Sequence, residues 1–369
     1  MKSLTSRNRR GIYYWKCDRA AAFHGTEESV NAEVRTRVEA ALQPLLRRRL
    51  GEPALKIRPG AGQGNHLTYP ASTPEVTYFV RIEDGPEQDD YMEIEARALD
   101  EVRKQGVPTP RVLLVDSSRT EQPFAYQVLE FLDYPDLNRL YKENRLSLGR
   151  VARQIGENLA RWQFIQLRGF GPFDPEALRT GNELVGLHSS YEAYFRLNWE
   201  RHLDLLTARE FLSAEEADEM RRLVNDQASL LHLDQGCLVH KDLALWNILG
   251  TPEEIKAFID WDDTIAGDPM DDLSLLACFH PADVIAAAVE GYRNVRPLRP
   301  EAAPRFYLHL MRNMVVKAVI RVGAGYFDRP ESFFLIAPGG SGTTLRSFTH
   351  ERILAACRGL RENKEISEL

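Results

Sequence analysis

Four polar side chains interrupt an apolar stretch in the second half of this chain, "LVHKDLALWNIL", residues 238 to 249. Leu238 and Val239 before them, and Ile248 and Leu249 after, read as the two buried strands of a hairpin, with His240, Lys241, Asp242 and Asn247 between. Thirteen residues beyond Asn247, the apolar run "FIDWDD" reaches Asp260, and Asp262 stands two positions further on. Carboxylates at a strand end with an amide oxygen nearby suit a hard cation such as Mg2+, which prefers oxygen ligands. A further carboxylate outside the metal's shell can take a proton from an attacking hydroxyl. Phosphoryl transfer needs that division of labour: a metal to neutralise phosphate charge and a base to orient the nucleophile.

Such groups act only if rigid elements hold them. Residues 26 to 50 carry apolar positions at helical spacing behind Thr26, an N-cap candidate. "ALKIRPG", "HLTYP", "EVTYFVRIE", "RVLLVD" and "FAYQVLEF" are short, β-branched or aromatic, and separated by Gly and Pro, so they predict strands. One helix is expected among them at 89–105, closed by Gly106 and Pro108. Beyond "FLDYPDL" the helical period prevails, at about 147–166, 188–207, 213–232, 269–295, 300–324 and 343–361. The hairpin and the strand "IKAFID" are the exceptions. Strands followed by helices argue an α+β fold of two lobes, 1–131 and 132–369. A length of 369 residues fits that division.

Composition narrows the partners. With 43% hydrophobic and 27% charged residues the chain is ordinary for a globular protein, and a net charge of −7 argues against nucleic acid. Four scattered cysteines without pairing or zinc-like spacing suit a reducing cytosol. "GIYYW" is too short for a signal h-region, and no apolar run approaches a bilayer span, so a cytoplasmic protein without membrane contact is expected.

His-x-Asp-x4-Asn followed by apolar-Asp resembles the catalytic loop and metal strand of the protein-kinase-like superfamily. "HKDLALWNIL" and "IDWDDTIAGDPMDDLS" are most similar to the aminoglycoside phosphotransferase and choline kinase branch, which shows HGDxxxxNIL and then IDWxxxxxGDPxxDLA. The resemblance implies a protein-kinase-like two-lobed fold, ATP as co-substrate and Mg2+. It matches Asp242 to the catalytic base, His240 to the loop-supporting histidine, and Asn247 and Asp260 to the metal ligands. Asp262 matches a position often acidic in the branch, a water-mediated metal contact. Protein kinases acting on Ser or Thr carry a Lys two residues after the loop Asp; here that residue is Ala244, and Asp260-Trp261-Asp262 replaces a DFG triplet. A small-molecule kinase is the better reading. A metal-dependent phosphohydrolase would need clustered His and Asp ligands, whereas the nine histidines are dispersed. A silent nucleotide-binding module would lack Asp242, Asn247 or Asp260, and all are present.

In the strand-rich half, Gly60, Gly62 and Gly64 with Asn65 lie between two strands and resemble the family's nucleotide loop. No lysine occurs between Lys56 and Lys104, so Arg81 takes the place of the strand lysine, with Glu95 as its partner on the following helix. "AYQVLEFLDY" resembles the hinge strand, where backbone groups near Glu130 and Leu132 would meet the adenine edge. Gln163 takes a place where His is common, and no role is expected for it. "RGFGPFDPEAL" resembles a segment of hygromycin B phosphotransferase-like kinases. Six aspartates lie from Asp260 to Asp272, and Asp263 and Asp271 have no evident structural task. An acidic cleft attracts cations, so the expected acceptor is a hydroxyl of a cationic small molecule, an aminoglycoside or related aminocyclitol. The alternative is a neutral sugar, polyol or amino alcohol.

Overall fold

The computed structural model describes residues 9–19, 22, 32–60, 66–329 and 342–369. The expected loop residues Gly62, Gly64 and Asn65, and the cap candidate Thr26, lie outside them. Five strands of the first half form an antiparallel sheet: β1 (Lys56–Ile57), β2 (Leu67–Ser72), β3 (Thr77–Glu83), β4 (Val112–Asp116) and β5 (Ala125–Glu130). Their spatial order is β1-β2-β3-β5-β4. Arg81 pairs with Thr68 on one side and Gln127 on the other, so the register holds it in the middle of the sheet. The helix Ala32–Leu50 buries Val38, Leu42, Leu45 and Leu46 in one small core with Tyr69, Val80, Ile82 and Val128 of the sheet.

The helix Tyr91–Lys104 buries Tyr91, Ile94, Glu95, Ala98, Leu99 and Val102, the stripe that a period of 3.6 residues places on one face. A carboxylate within that stripe demands a buried cation, and Arg81 supplies it. Gly106, at φ +75°, closes the helix by donating its N–H to the Arg103 carbonyl. Residues 131–135 carry no regular element and lead into the helix Leu137–Lys142, capped by Asp136.

The rest is mainly helical, so the fold is α+β as expected, a strand-rich N-terminal lobe followed by a helical one. The helices Leu148–Trp162 and Ala282–Val295 cross so closely that a methyl group at Gly156 would lie 1.8 Å from the Ala288 carbonyl oxygen. The helix Ala302–Gly323, the longest among the described residues, is buried along nearly its whole length. Three expected helices are broken, and the one over 213–232 ends at Asp226 ahead of a 3-10 turn, Ala228–Leu231. The one over 188–207 divides into Tyr191–Phe195, which ends at Arg196, and Trp199–Ala208, which starts after Asn198 at φ +56°. The one over 269–295 divides into Asp271–Ala277 and Ala282–Val295 ahead of Pro281, where the missing N–H and fixed ring cannot continue a helix.

The expected hairpin is also corrected. β6 (Gln166–Leu167), β7 (Phe170–Phe173), β8 (Gly186–His188), β9 (Gly236–Val239) and β12 (Ile265–Gly267) form a second sheet, while β10 (Ile248–Gly250) pairs with β11 (Ile255–Phe258) in a separate two-stranded one. Residues 238–239 and 248–249 therefore belong to different sheets, and the polar loop bridges them. Two apolar ends around a polar loop look alike in either arrangement. No helix among the described residues is long and apolar enough to cross a membrane.

His280, at the break before Pro281, is buried edge-on to Tyr141, and its Nδ1 has no hydrogen-bond partner among the described residues. Burial and nearby Arg352 hold its pKa down at about 4. The unfolded chain takes up a proton near pH 6.5 that the folded chain refuses, so stability falls as pH drops from about 6.5 towards 4. Between pH 7 and 5 the wild type is expected to lose about 2 kcal/mol relative to His280→Phe. Urea unfolding of both proteins at the two pH values checks this; a pH-independent difference would remove His280 as the cause.

Candidate active site

Two residues in the left-handed region, where side chains other than glycine are strained, flank the site: Lys241 at φ +70° and Asp260 at φ +64°. Around Lys241 the strain is held by Asp272. Its carboxylate accepts the N–H groups of His240 (2.8 Å) and Lys241 (2.9 Å) and the indole N–H of Trp162 (3.2 Å). Lys241 itself turns inward, donating to Asp271 (2.7 Å), the Tyr13 hydroxyl (3.1 Å) and Asn313 (3.3 Å).

His240 fixes the other side of the loop. Its Nε2–H donates to the Ile259 carbonyl (3.0 Å), and its Nδ1 accepts the Asp242 N–H (3.3 Å). Burial lowers its pKa, so the ring is neutral, and these contacts define one tautomer. The loop's carbonyl at Asn247 accepts the Ile259 N–H (3.0 Å), tying Asn247 to the segment that carries Asp260.

Asp242 is 2% exposed and meets four donors. Its Oδ1 accepts from the Tyr14 hydroxyl (2.7 Å) and lies 3.3 Å from Lys317 Nζ. Its Oδ2 accepts from Lys16 Nζ (3.1 Å) and Asn247 Nδ2 (3.1 Å). Burial alone would raise this carboxyl, but Lys16 and Lys317 outweigh it and hold Asp242 well below the usual carboxylate range.

Arg81 sits across the site. One guanidinium nitrogen reaches both Glu95 oxygens (2.5 and 2.6 Å), and the other touches Asp260 (2.9 Å) and Asp262 (3.4 Å). The same second nitrogen donates to His66 Nδ1 (2.9 Å), whose pKa burial and Arg81 hold down at about 3. Glu95 also accepts the Trp261 N–H (3.0 Å), which links the helix Tyr91–Lys104 to the Asp260 turn. Burial and the neighbouring Asp262 push the Asp260 carboxyl upward. Two carboxylates and the Asn247 amide oxygen are a donor set of the type a hard divalent cation takes, and such a cation would relieve the repulsion behind that shift.

The structure thus brings together Asp242, His240, Asn247, Asp260, Asp262, Arg81 and Glu95. Gly60 donates its N–H to the Thr68 carbonyl (2.7 Å). Glu130 uses its N–H on the Arg111 carbonyl (2.8 Å) and its carboxylate on the Arg111 guanidinium, and the Leu132 carbonyl accepts from Tyr134 N–H (2.9 Å).

The reading of Asp263 and Asp271 as spare acidic residues is corrected. Both are buried: Asp271 is the partner of Lys241 and Asn313, and Asp263 lies 3.9 Å from Arg9. Asp268 accepts the Met270 N–H (2.8 Å) as a turn cap and also pairs with buried Arg305 (2.7 Å). Gln163 has a structural task that the sequence did not suggest, donating to the Pro269 carbonyl (2.6 Å) and accepting from Tyr292.

Sequence reasoning missed Tyr14, Lys16, Lys317 and Asp272. Asp272 stands in the family's xxDLA run and could have been found there. The others approach Asp242 from 75 to 228 positions away, and no local pattern marks them.

A family model described as "Phosphotransferase enzyme family" matches residues 56–305. The fold also matches solved structures. One is a thermostable mutant of aminoglycoside phosphotransferase APH(4)-Ia in ternary complex with AMP-PNP and hygromycin B (15% identity, 86% of this chain and 98% of that one, TM-score 0.58). Another is a putative fructosamine-3-kinase from Thermobifida fusca YX-ER1 (19%, 82% and 93%, TM-score 0.57). A third is a putative aminoglycoside phosphotransferase from Ralstonia eutropha JMP134 (17%, 89% and 98%, TM-score 0.58). No curated protein matches the chain.

Proposed function

This chain belongs to the phosphotransferase enzyme family and is a small-molecule kinase, and we propose that it transfers the γ-phosphoryl group of ATP to a hydroxyl of its acceptor with Asp242 as the base. One observation carries the assignment: Asn247 touches Asp242 at 3.1 Å, and Arg81 joins Glu95 to Asp260 beside them. The backbone of Ile259 ties the two together, donating to the Asn247 carbonyl (3.0 Å) and accepting from His240 (3.0 Å) next to Asp260.

In the proposed reaction the acceptor hydroxyl donates to Asp242, its oxygen attacks the γ-phosphorus, the bond to the bridging oxygen breaks and ADP leaves. Asp242 takes the proton. Arg81, held by Glu95, sets the cationic charge next to the phosphates, and its fork suits phosphate oxygens. His240 and Asp272 keep the loop in its strained conformation, so the base is in place before the acceptor arrives. Asn247 and Asp260, with Asp262 beside them, would hold Mg2+, which would neutralise phosphate charge there.

The acceptor reading changes with the geometry. Asp263 and Asp271, which favoured a cation, already face Arg9 and Lys241, and two lysine ammonium groups adjoin the base. This favours a neutral polyhydroxylated acceptor over a polycation, since a like charge beside Lys16 and Lys317 costs binding energy. ADP release with MgATP, measured over matched sugars, polyols and their amine counterparts, tests this. Neutral members should give the higher kcat/KM; a consistent preference for the amines would restore the cationic reading.

A further inference from the structure

The groups around Asp242 raise a question that the transfer reaction does not answer. Among the described residues four groups donate to its carboxylate, and two of them, Tyr14 and Lys16, come from the segment 9–18. That segment precedes the family-matched residues, and Lys317, the third, follows them.

The segment is firmly seated. Tyr13 stacks on Tyr194 with ring centroids 4.9 Å apart, the Arg312 guanidinium lies 3.6 Å from the Tyr13 ring centre, and Tyr194 donates to the Tyr13 carbonyl (2.9 Å). Asp18 accepts the N–H groups of Tyr13 (3.0 Å) and Tyr14 (3.1 Å) and pairs with buried His202 (2.8 Å). At the other end Arg9 donates to Asp89 and to the Asp262 carbonyl (2.6 Å). Tyr13, Tyr14 and Trp15 are each under a tenth exposed, whereas the Lys16 side chain is 37% exposed.

A kinase must keep its base from water, which is small, abundant and able to attack the same phosphorus. A carboxylate oxygen whose lone pairs already accept two donors has little capacity for a water molecule. An acceptor held by other contacts can spend binding energy on displacing a donor, and water cannot. On that ground we propose that Tyr14 and Lys16 are specificity-determining residues, standing in for the acceptor hydroxyl at Asp242 and excluding water until an acceptor displaces them. The Tyr14 hydroxyl, donating to the base at 2.7 Å, makes the contact an acceptor hydroxyl must make. This inference rests on Asp242 being the base of the proposed reaction. It adds that the chain guards that base with residues of its own.

The test is ATP hydrolysis without acceptor, measured as phosphate release by the full chain with Mg2+. Tyr14→Phe keeps the ring and its packing and removes only the donor. It should raise hydrolysis about tenfold, the effect of removing one hydrogen bond to a charged group. Adding Asp242→Asn should cancel the gain, which a merely loosened fold would not show. If Tyr14→Phe does not fold, the more exposed Lys16→Met is read instead, with the same expectation. Hydrolysis at or below the wild-type rate, or a gain that survives Asp242→Asn, overturns the proposal. ADP-induced stabilisation is measured on the same proteins: if it is present and hydrolysis does not rise, only this inference fails, and if it is absent, the kinase reading fails too.

Discussion

Asp242→Asn is expected to lower kcat by about 10²- to 10⁴-fold, the usual contribution of a general base, while nucleotide binding stays close to wild type. The substitution keeps the shape of the side chain and one acceptor oxygen, so the Tyr14 hydroxyl retains a partner. What it removes is the negative charge that Lys16 and Lys317 share. Lys16 can turn towards solvent, being 37% exposed; Lys317, at 10%, stays and leaves an unbalanced ammonium beside the acceptor. That residual charge adds to the loss in transfer without touching Arg81, Glu95 or Asp260, so the nucleotide side is spared. Steady-state kinetics with the best acceptor, together with ADP binding by calorimetry, separates the two effects. A variant that turns over at the parental rate would take Asp242 out of the mechanism.

Asp260→Ala should lower turnover by about 10³-fold or more, as expected when charge compensation at transferring phosphates is lost. Asp262 does not replace it, because the proposed donor set draws on both carboxylates and the substitution leaves one. Folding should survive. The Asp260 side chain is 37% exposed, and Arg81 keeps both oxygens of Glu95. Alanine keeps the Cβ and with it the left-handed strain at φ +64°, so no stability is gained, whereas kcat as a function of Mg2+ concentration should collapse. A Mg2+ titration that superimposes on the wild type would refute the assignment of the cation to this turn.

How far the sequence could be read depended on the range of each interaction. The strands around Arg81, the helix carrying Glu95 and the loop from His240 to Asn247 were legible because period, turn residues and spacing are local signals. Arg81 was also legible as a substitute cation, since the segment offers no lysine. The partition of β9 and β10 between two sheets was not, because pairing partners are chosen by tertiary packing. Helix breaks at Asn198 and before Pro281 were hidden by apolar spacing that continues through them. The largest failure concerned charge. Asp271 looked surplus because its partner Lys241 turns inward from a buried loop, and Asp263 because its burial beside Arg9 (3.9 Å) is set across the fold. An acidic run in a sequence does not reveal which of its charges remain unpaired.

The most direct test of the central claim is to follow phosphorus through the reaction. The wild-type chain is incubated with MgATP and the best acceptor, and the mixture is followed by 31P nuclear magnetic resonance. Loss of the γ-phosphate signal should be matched by a new phosphate-monoester signal on the acceptor, in equal amount to the ADP formed, and Asp242→Asn should suppress both together. Formation of ADP and inorganic phosphate alone with every acceptor, or an undiminished monoester signal in Asp242→Asn, would contradict the account.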